Sequence, residues 1–197
     1  MATIVEHEKR KHEILQRALD VFIDEGYEDV TFQKIADRCG ITRTTLYIYF
    51  KNKREIFLWS IKQMMENMEQ TLAKIIQDTT ASAERALREV LRNIISECEK
   101  NKKLFSVILV YLIQLQKTGK DPERQVRRRI IRLRHLLSEL IIRGIRNGEF
   151  KHVSVKNTNE MIYSIIESSI FKLSVLNQEN IAEMYNVVSI TVDGMTA

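Results

Sequence analysis

The sequence predicts an all-α protein, and three observations carry that reading. One proline and six glycines in 197 residues leave few chain breakers. No alternating run of Val, Thr or aromatic residues is bounded by turn residues, as a half-buried strand would be. Apolar residues instead recur at helical spacing from Ile14 to Val192. A chain of this length buries roughly 70% of its unfolded surface without staples, as one large domain or two small ones.

In order, residues 1–5 read as a frayed arm. From about Glu6 to Glu25, Ile14, Ala18 and Phe22 share a face beside Leu15 and Leu19, and Gly26 supplies a stop. Thr31 is placed to cap a second helix, with Val30 stapled onto Ile35. Cys39-Gly40-Ile41 closes it, because glycine takes the left-handed conformation beyond a helix end. Thr42 caps a third helix, Arg43 to about Tyr49, whose only clear inward anchors are Leu46 and Phe50. Arg43, Thr44, Thr45, Tyr47, Ile48 and Tyr49 remain around it, so this helix is made to be read from outside.

Asn52, with Glu55 three residues on, opens a fourth helix to about Gln77. Its inward face is Phe57, Ile61, Met64, Met68, Leu72 and Ile75, and it serves both halves of the chain as a plausible lever. Helices follow at 81–100, 103–117, 122–147, 156–176 and 178–192, about nine in all. Thr79-Thr80, Asn101, the Gly119-Lys120-Asp121-Pro122 turn and Gly148 separate them. The functional boundary is placed near Trp59 to Lys62, giving a three-helix head over 1–60 and a C-terminal helical bundle over 61–197.

The formal charge of +5 and pI of about 9.2 invite a nucleic-acid partner, but the distribution does not support that shortcut. Residues 1–62 carry 11 Lys and Arg against 10 Asp and Glu, whereas residues 102–156 carry 14 against 4. DNA binding by the head must therefore rest on geometry and particular side chains. No apolar run reaches membrane-spanning length and the first residues are too charged for a secretory signal, so a cytoplasmic protein is expected. Cys39 and Cys98 lack partner spacing, and His7, His12, His135 and His152 are scattered, so no metal or other cofactor is expected. No Ser/His/Asp set, paired acidic motif or Gly-rich phosphate loop stands at usable spacing, and an enzyme is not expected.

In the C-terminal half, Met64, Met68, Phe105, Leu109 and Tyr111 suit an adaptable apolar pocket, and each also suits plain core. The stripe Val126, Ile130, Leu133, Leu137, Leu140 and Ile141 lies opposite an arginine-rich face running from Arg124 to Arg146. That face reads as solvated, or as a site for an anionic inducer, an acidic partner or the acidic last two helices. Ile162, Ile166, Ile170, Met184 and Val188 on those last helices suit a two-fold bundle between subunits or an intramolecular core.

Gly26-Tyr27, Thr31, Ile35-Ala36, Gly40-Ile41-Thr42, Thr45-Leu46-Tyr47, Tyr49-Phe50 and Lys53-Arg54-Glu55 stand in an order and spacing that resembles the TetR-type transcriptional regulators. Gly144-Ile145-Arg146-Asn147-Gly148-Glu149-Phe150 resembles the end of their seventh helix. The specific match covers residues 8–58; beyond it the likeness is architectural. The resemblance implies a homodimeric repressor that reads a palindromic double-stranded DNA operator and holds a small-molecule effector in its C-terminal domain. It also implies that Gln33, Arg43, Thr44 and Thr45 face the major groove and that Ile48 makes an apolar contact there. Tyr47, Tyr49 and Lys53 would meet phosphates.

Physical chemistry agrees with this allocation. An exposed arginine opening a recognition helix can donate twice to guanine, and a glutamine can do likewise with adenine. The helix starts at Thr31 and Thr42 can offer backbone N–H groups to phosphate. The alternative is a DNA-binding regulator of the same fold controlled by a protein partner, with the arginine-rich helix as docking face.

Overall fold

The computed structural model describes residues 2–121 and 123–197, and among them it contains nine helices and no strand. They are α1 (Ala2–Glu25), α2 (Phe32–Cys39), α3 (Arg43–Tyr49), α4 (Lys53–Gln77), α5 (Ala83–Lys100), α6 (Lys102–Lys117), α7 (Glu123–Arg146), α8 (Val155–Ser174) and α9 (Ala182–Met195). The expected frayed arm is corrected: α1 already runs from Ala2. Met1, Pro122 and the side chain of Val126 lie outside the described residues. The chain divides into two compact units, Met1–Met68 and Glu69–Ala197, with the division inside α4.

In the first unit, Ile14, Leu15, Ala18, Val21 and Phe22 of α1 are buried, as are Ile35 and Ala36 of α2, Leu46 of α3, Phe50, and Ile56 and Phe57 of α4. Phe22 meets Phe57 edge to face at 4.8 Å, and Tyr27 lies 4.9 Å from Phe57. The buried Ser60 hydroxyl donates to the Leu15 carbonyl at 2.8 Å, so the one polar side chain α4 sends into this core is satisfied by α1. Trp59, the only tryptophan, is half-exposed, with the Lys11 ammonium 4.8 Å and the Lys62 ammonium 4.2 Å from its ring.

The second unit is arranged around α5. Eight of its residues, from Ala83 to Cys98, are buried along one face of the helix, and Arg85, Glu89 and Arg92 on the other are exposed. Leu72 and Ile76 of α4, Leu137, Leu140 and Ile141 of α7, and the inner faces of α8 and α9 complete that core. Glu149, just beyond α7, accepts the Glu84 backbone N–H at 3.0 Å and so caps the start of α5. The Lys151 N–H donates to Met195 at 2.9 Å and the Ala197 N–H to Glu149 at 3.0 Å, which ties the last residues to the α7–α8 link.

Gly144 explains the Gly-Ile-Arg-Asn-Gly-Glu-Phe stretch. A Cβ there would stand 2.1 Å from Cδ2 of Phe150, a ring that is itself only 2% exposed. The absent side chain is the space the ring fills. Gly144→Ala is therefore expected to lower the unfolding free energy by about 1–3 kcal/mol, read as an earlier urea midpoint with an unchanged slope.

Candidate nucleic-acid interface

A seven-residue helix is too short to persist alone, so α3 depends on its two ends and its single buried residue. At its start the Thr42 hydroxyl oxygen accepts the Thr45 N–H at 3.1 Å. At its end the Phe50 N–H returns to the Leu46 carbonyl at 3.0 Å, and Leu46 and Phe50 are buried. The preceding turn is set by Gly40, at φ 66°, where the Gly40 and Ile41 N–H groups close back on α2 at Asp37 and Ala36. Thr31 caps α2 by accepting the Lys34 N–H at 3.2 Å. Asn52 accepts the Glu55 N–H at 2.9 Å, while the Glu55 carboxylate accepts the Lys51 N–H at 2.7 Å. These local bonds fix α2, α3 and the start of α4 as a helix-turn-helix with a short exit.

On that frame Gln33, Arg43, Thr44, Tyr47 and Ile48 are exposed, and Thr45 and Tyr49 half-exposed. Ile48, at 70%, is among the most exposed large apolar residues described. Arg43 donates to the Tyr47 hydroxyl at 3.2 Å, and Tyr47 stacks on Phe32 at 4.5 Å. Tyr47 is thus both packed and outward, with α2 beneath its ring. Gln33 donates to Asp37 at 2.7 Å along α2, and the hydroxyls of Thr42 and Thr45 are bonded at 2.8 Å. Tyr49 stacks on His7 of α1 at 4.6 Å, a partner the spacing of the sequence does not reveal.

Lys53, expected at a phosphate, is engaged within the chain. Its ammonium donates to the carbonyls of Tyr27, Glu28 and Val30 at 3.0, 2.9 and 3.1 Å, and lies 4.8 Å from the Tyr27 ring. All three of its protons are engaged in holding the α1–α2 link.

The residues expected at a subunit contact lie in the second unit. Ile162, Ile166, Met184 and Val188 are buried within the single chain, at 0, 5, 5 and 1% exposure, and Ile170 is half-buried. The exposed apolar residues of α8 and α9 are Met161, Phe171, Val187 and Ile190, with Ser164 and Ser168 exposed between the first two. Of the pocket candidates, Met64 and Met68 fall in the first unit and are half-buried. On α6, Phe105 and Leu109 are half-buried and Tyr111 is buried. The recess of about 300 Å³ at the α8–α9 turn is lined by Lys172 and 178–183 and includes none of them.

The arginine-rich helix is less solvated than its composition implies. Arg129 and Arg132 pair with Glu69, Arg134 with Glu160, and Arg143 donates to the Ile76 carbonyl at 2.7 Å. Sequence spacing carries no sign of these long-range partners. Burial, reinforced by Glu97 and Glu99, pushes the Cys98 thiol up to about 12, and burial raises Cys39 as well. Neither offers a thiolate at neutral pH. Among the described residues no group of three or more His, Cys, Asp or Glu could hold a metal ion, and no helix is long and apolar enough to cross a membrane.

Residues 14–58 match the model of the bacterial regulatory proteins of the tetR family. The fatty acid metabolism regulator protein of Bacillus subtilis (strain 168) is 24% identical over 159 residues, 80% of either chain. A TetR transcription regulator from Haloarcula marismortui superposes with a TM-score of 0.84 at 21% identity, covering 96% of this chain and all of that one. The FadR regulator of Bacillus subtilis in complex with stearoyl-CoA gives 0.73 at 21% identity, covering 94% of this chain and 97% of that one.

The contacts of Lys53 generate a direct test. Lys53→Met is expected to cost about 1–3 kcal/mol of stability in denaturant unfolding, because three carbonyls lose their donor. A residue serving only phosphate would leave unfolding unchanged.

Proposed function

We propose that this chain, a transcriptional regulator of the TetR type, acts as a homodimeric repressor whose first unit reads a palindromic operator and whose second unit binds a small-molecule effector. The observation that carries the DNA reading is α3: one buried anchor, Leu46, holds a helix that turns Arg43, Thr44, Tyr47 and Ile48 outward. Arg43, at the first position of that helix, is the base reader, with Gln33, Thr44, Thr45 and Ile48 beside it. Tyr47, Tyr49 and the backbone N–H groups at Thr31 and Thr42 meet phosphates and set register. Lys53 acts indirectly, by fixing the link that orients α2.

Two subunits join through the exposed residues of α8 and α9. Met161, Phe171, Val187 and Ile190 form an apolar surface, and the small side chains of Ser164 and Ser168 allow a partner helix close approach. Two-fold pairing there matches the symmetry of a palindromic site.

The effector is an acyl thioester or a compound like it. The support is chemical as well as by likeness to the fatty acid regulators. Helix α6 is apolar around most of its circumference, yet only Leu104, Tyr111 and Leu115 are buried. Phe105, Val107, Ile108, Leu109 and Leu112 are half-buried, and Val110 and Ile113 exposed. An acyl chain laid against such a helix would remove that surface from water. Effector binding lowers operator affinity to the extent that it prefers a different setting of α4, with a coupling of about 5- to 150-fold.

A mobility shift with DNA flanking the chain's own coding region, with and without stearoyl-CoA, tests the whole reading; an unshifted probe at micromolar protein would overturn it. Arg43→Ala is expected to lose about 1–3 kcal/mol of discrimination between operator and scrambled DNA while the dimer stays folded. Ile190→Asp, placing a charge in the proposed subunit surface, is expected to sediment as a monomer at micromolar concentration and to lose palindrome binding.

A further inference from the structure

Within the second unit, α7 holds α4 by charge at two heights. The Glu69 carboxylate, 17% exposed, takes the Arg132 guanidinium at 2.8 Å on one oxygen and the Arg129 guanidinium at 3.3 Å on the other. Seven residues later on α4, the Ile76 carbonyl accepts from Arg143, whose Nε and second terminal nitrogen are buried without partners. From Arg124 to Arg134, α7 carries six arginines and no acidic residue. Arg124, Arg127 and Arg128 of that run are exposed. Two guanidiniums therefore share one carboxylate, and one positive charge is left over.

This is the composition of a receptor for a doubly charged anion, filled by a singly charged side chain. Guanidinium forks bind phosphate with paired, charge-assisted bonds. Arg132, at 45% exposure, gives such a group access from water. A partly exposed ion pair is individually weak, so an incoming phosphate that neutralises both arginines can displace Glu69.

We propose that Glu69, Arg129 and Arg132 form an exchangeable latch: the two arginines are the binding site for a phosphate or carboxylate of the effector, and Glu69 is the internal occupant it replaces. Displacement frees α4 at Glu69 and couples anion binding to the helix that also opens in the first unit at Lys53. The assignment rests on the reading that an effector of the second unit lowers operator affinity, and it adds which chemical group is read and by what.

The full chain, its Glu69→Gln variant, Arg132→Gln, and Arg129→Gln with Arg132→Gln are titrated by calorimetry with inorganic pyrophosphate and stearoyl-CoA, with circular dichroism to verify folding. Glu69→Gln keeps the shape of the side chain but removes the competing charge and one of its two acceptors, so both probes are expected to bind it about 5-fold or more tightly than the native chain. The double arginine variant abolishes that gain, and the half-exposed Arg132→Gln alone weakens both probes. Unchanged or weaker binding to folded Glu69→Gln overturns the latch and leaves Glu69 a static brace. Operator release is measured in parallel with stearoyl-CoA, stearate and octadecanol, which present phosphates, a carboxylate and no anion. Release by octadecanol as strong as by stearoyl-CoA also overturns the latch. Failure of stearoyl-CoA to release the operator, with the pyrophosphate gain intact, overturns the effector reading and leaves the anion site standing.

Discussion

Leu46 is the one large side chain that α3 buries, and the recognition surface depends on it. A helix of two turns lacks the internal hydrogen bonds to persist alone, so its existence is set from outside by the Thr42 cap, the Phe50 stop and that anchor. Because so little of α3 is used for packing, Arg43, Thr44 and Ile48 remain free of the core. The same economy makes the head sensitive to its supports. The tie from Lys53 to three carbonyls of the α1–α2 link and the Ser60 bond to α1 lie outside α2 and α3, yet they fix where those helices point.

Charge acts differently in the two units. In the first, nearly equal numbers of opposite charges give little net field, so the proposed DNA reading rests on placed side chains. In the second, the excess on α7 is drawn inward: Arg129, Arg132, Arg134 and Arg143 find acceptors on α4 and α8. A basic pI is thus a poor guide to which part of this molecule meets nucleic acid.

How much was legible in the sequence follows from the range of the interactions. Thr31, Gly40, Thr42 and Asn52 act on neighbours three or four residues away, and the helix boundaries they set were readable within a residue or two. Residues 1–5 read as a frayed arm, whereas α1 already runs from Ala2. Lys53 was placed at a phosphate by the family resemblance alone, and its carbonyl partners, more than twenty residues earlier, left no local sign. On α8 two faces compete. Ile162 and Ile166 on one side and Met161 and Phe171 on the other both follow helical spacing, and periodicity does not say which stripe its own chain covers. Glu69 carried no local signal, since its arginine partners are sixty residues away.

The indole of Trp59 lies between the ammonium groups of α1 and α4, in the first unit, and the chain has no other. Its emission is consequently a reporter of one unit alone, with one cationic neighbour, Lys11, that leaves when α1 separates from α4. Far-ultraviolet dichroism weighs all nine helices, most of them in the second unit. A single denaturation followed by both signals measures the cooperativity of the molecule without any label: coincident curves mean that α4 transmits the loss of one core to the other, and separated curves mean that the two cores fail independently.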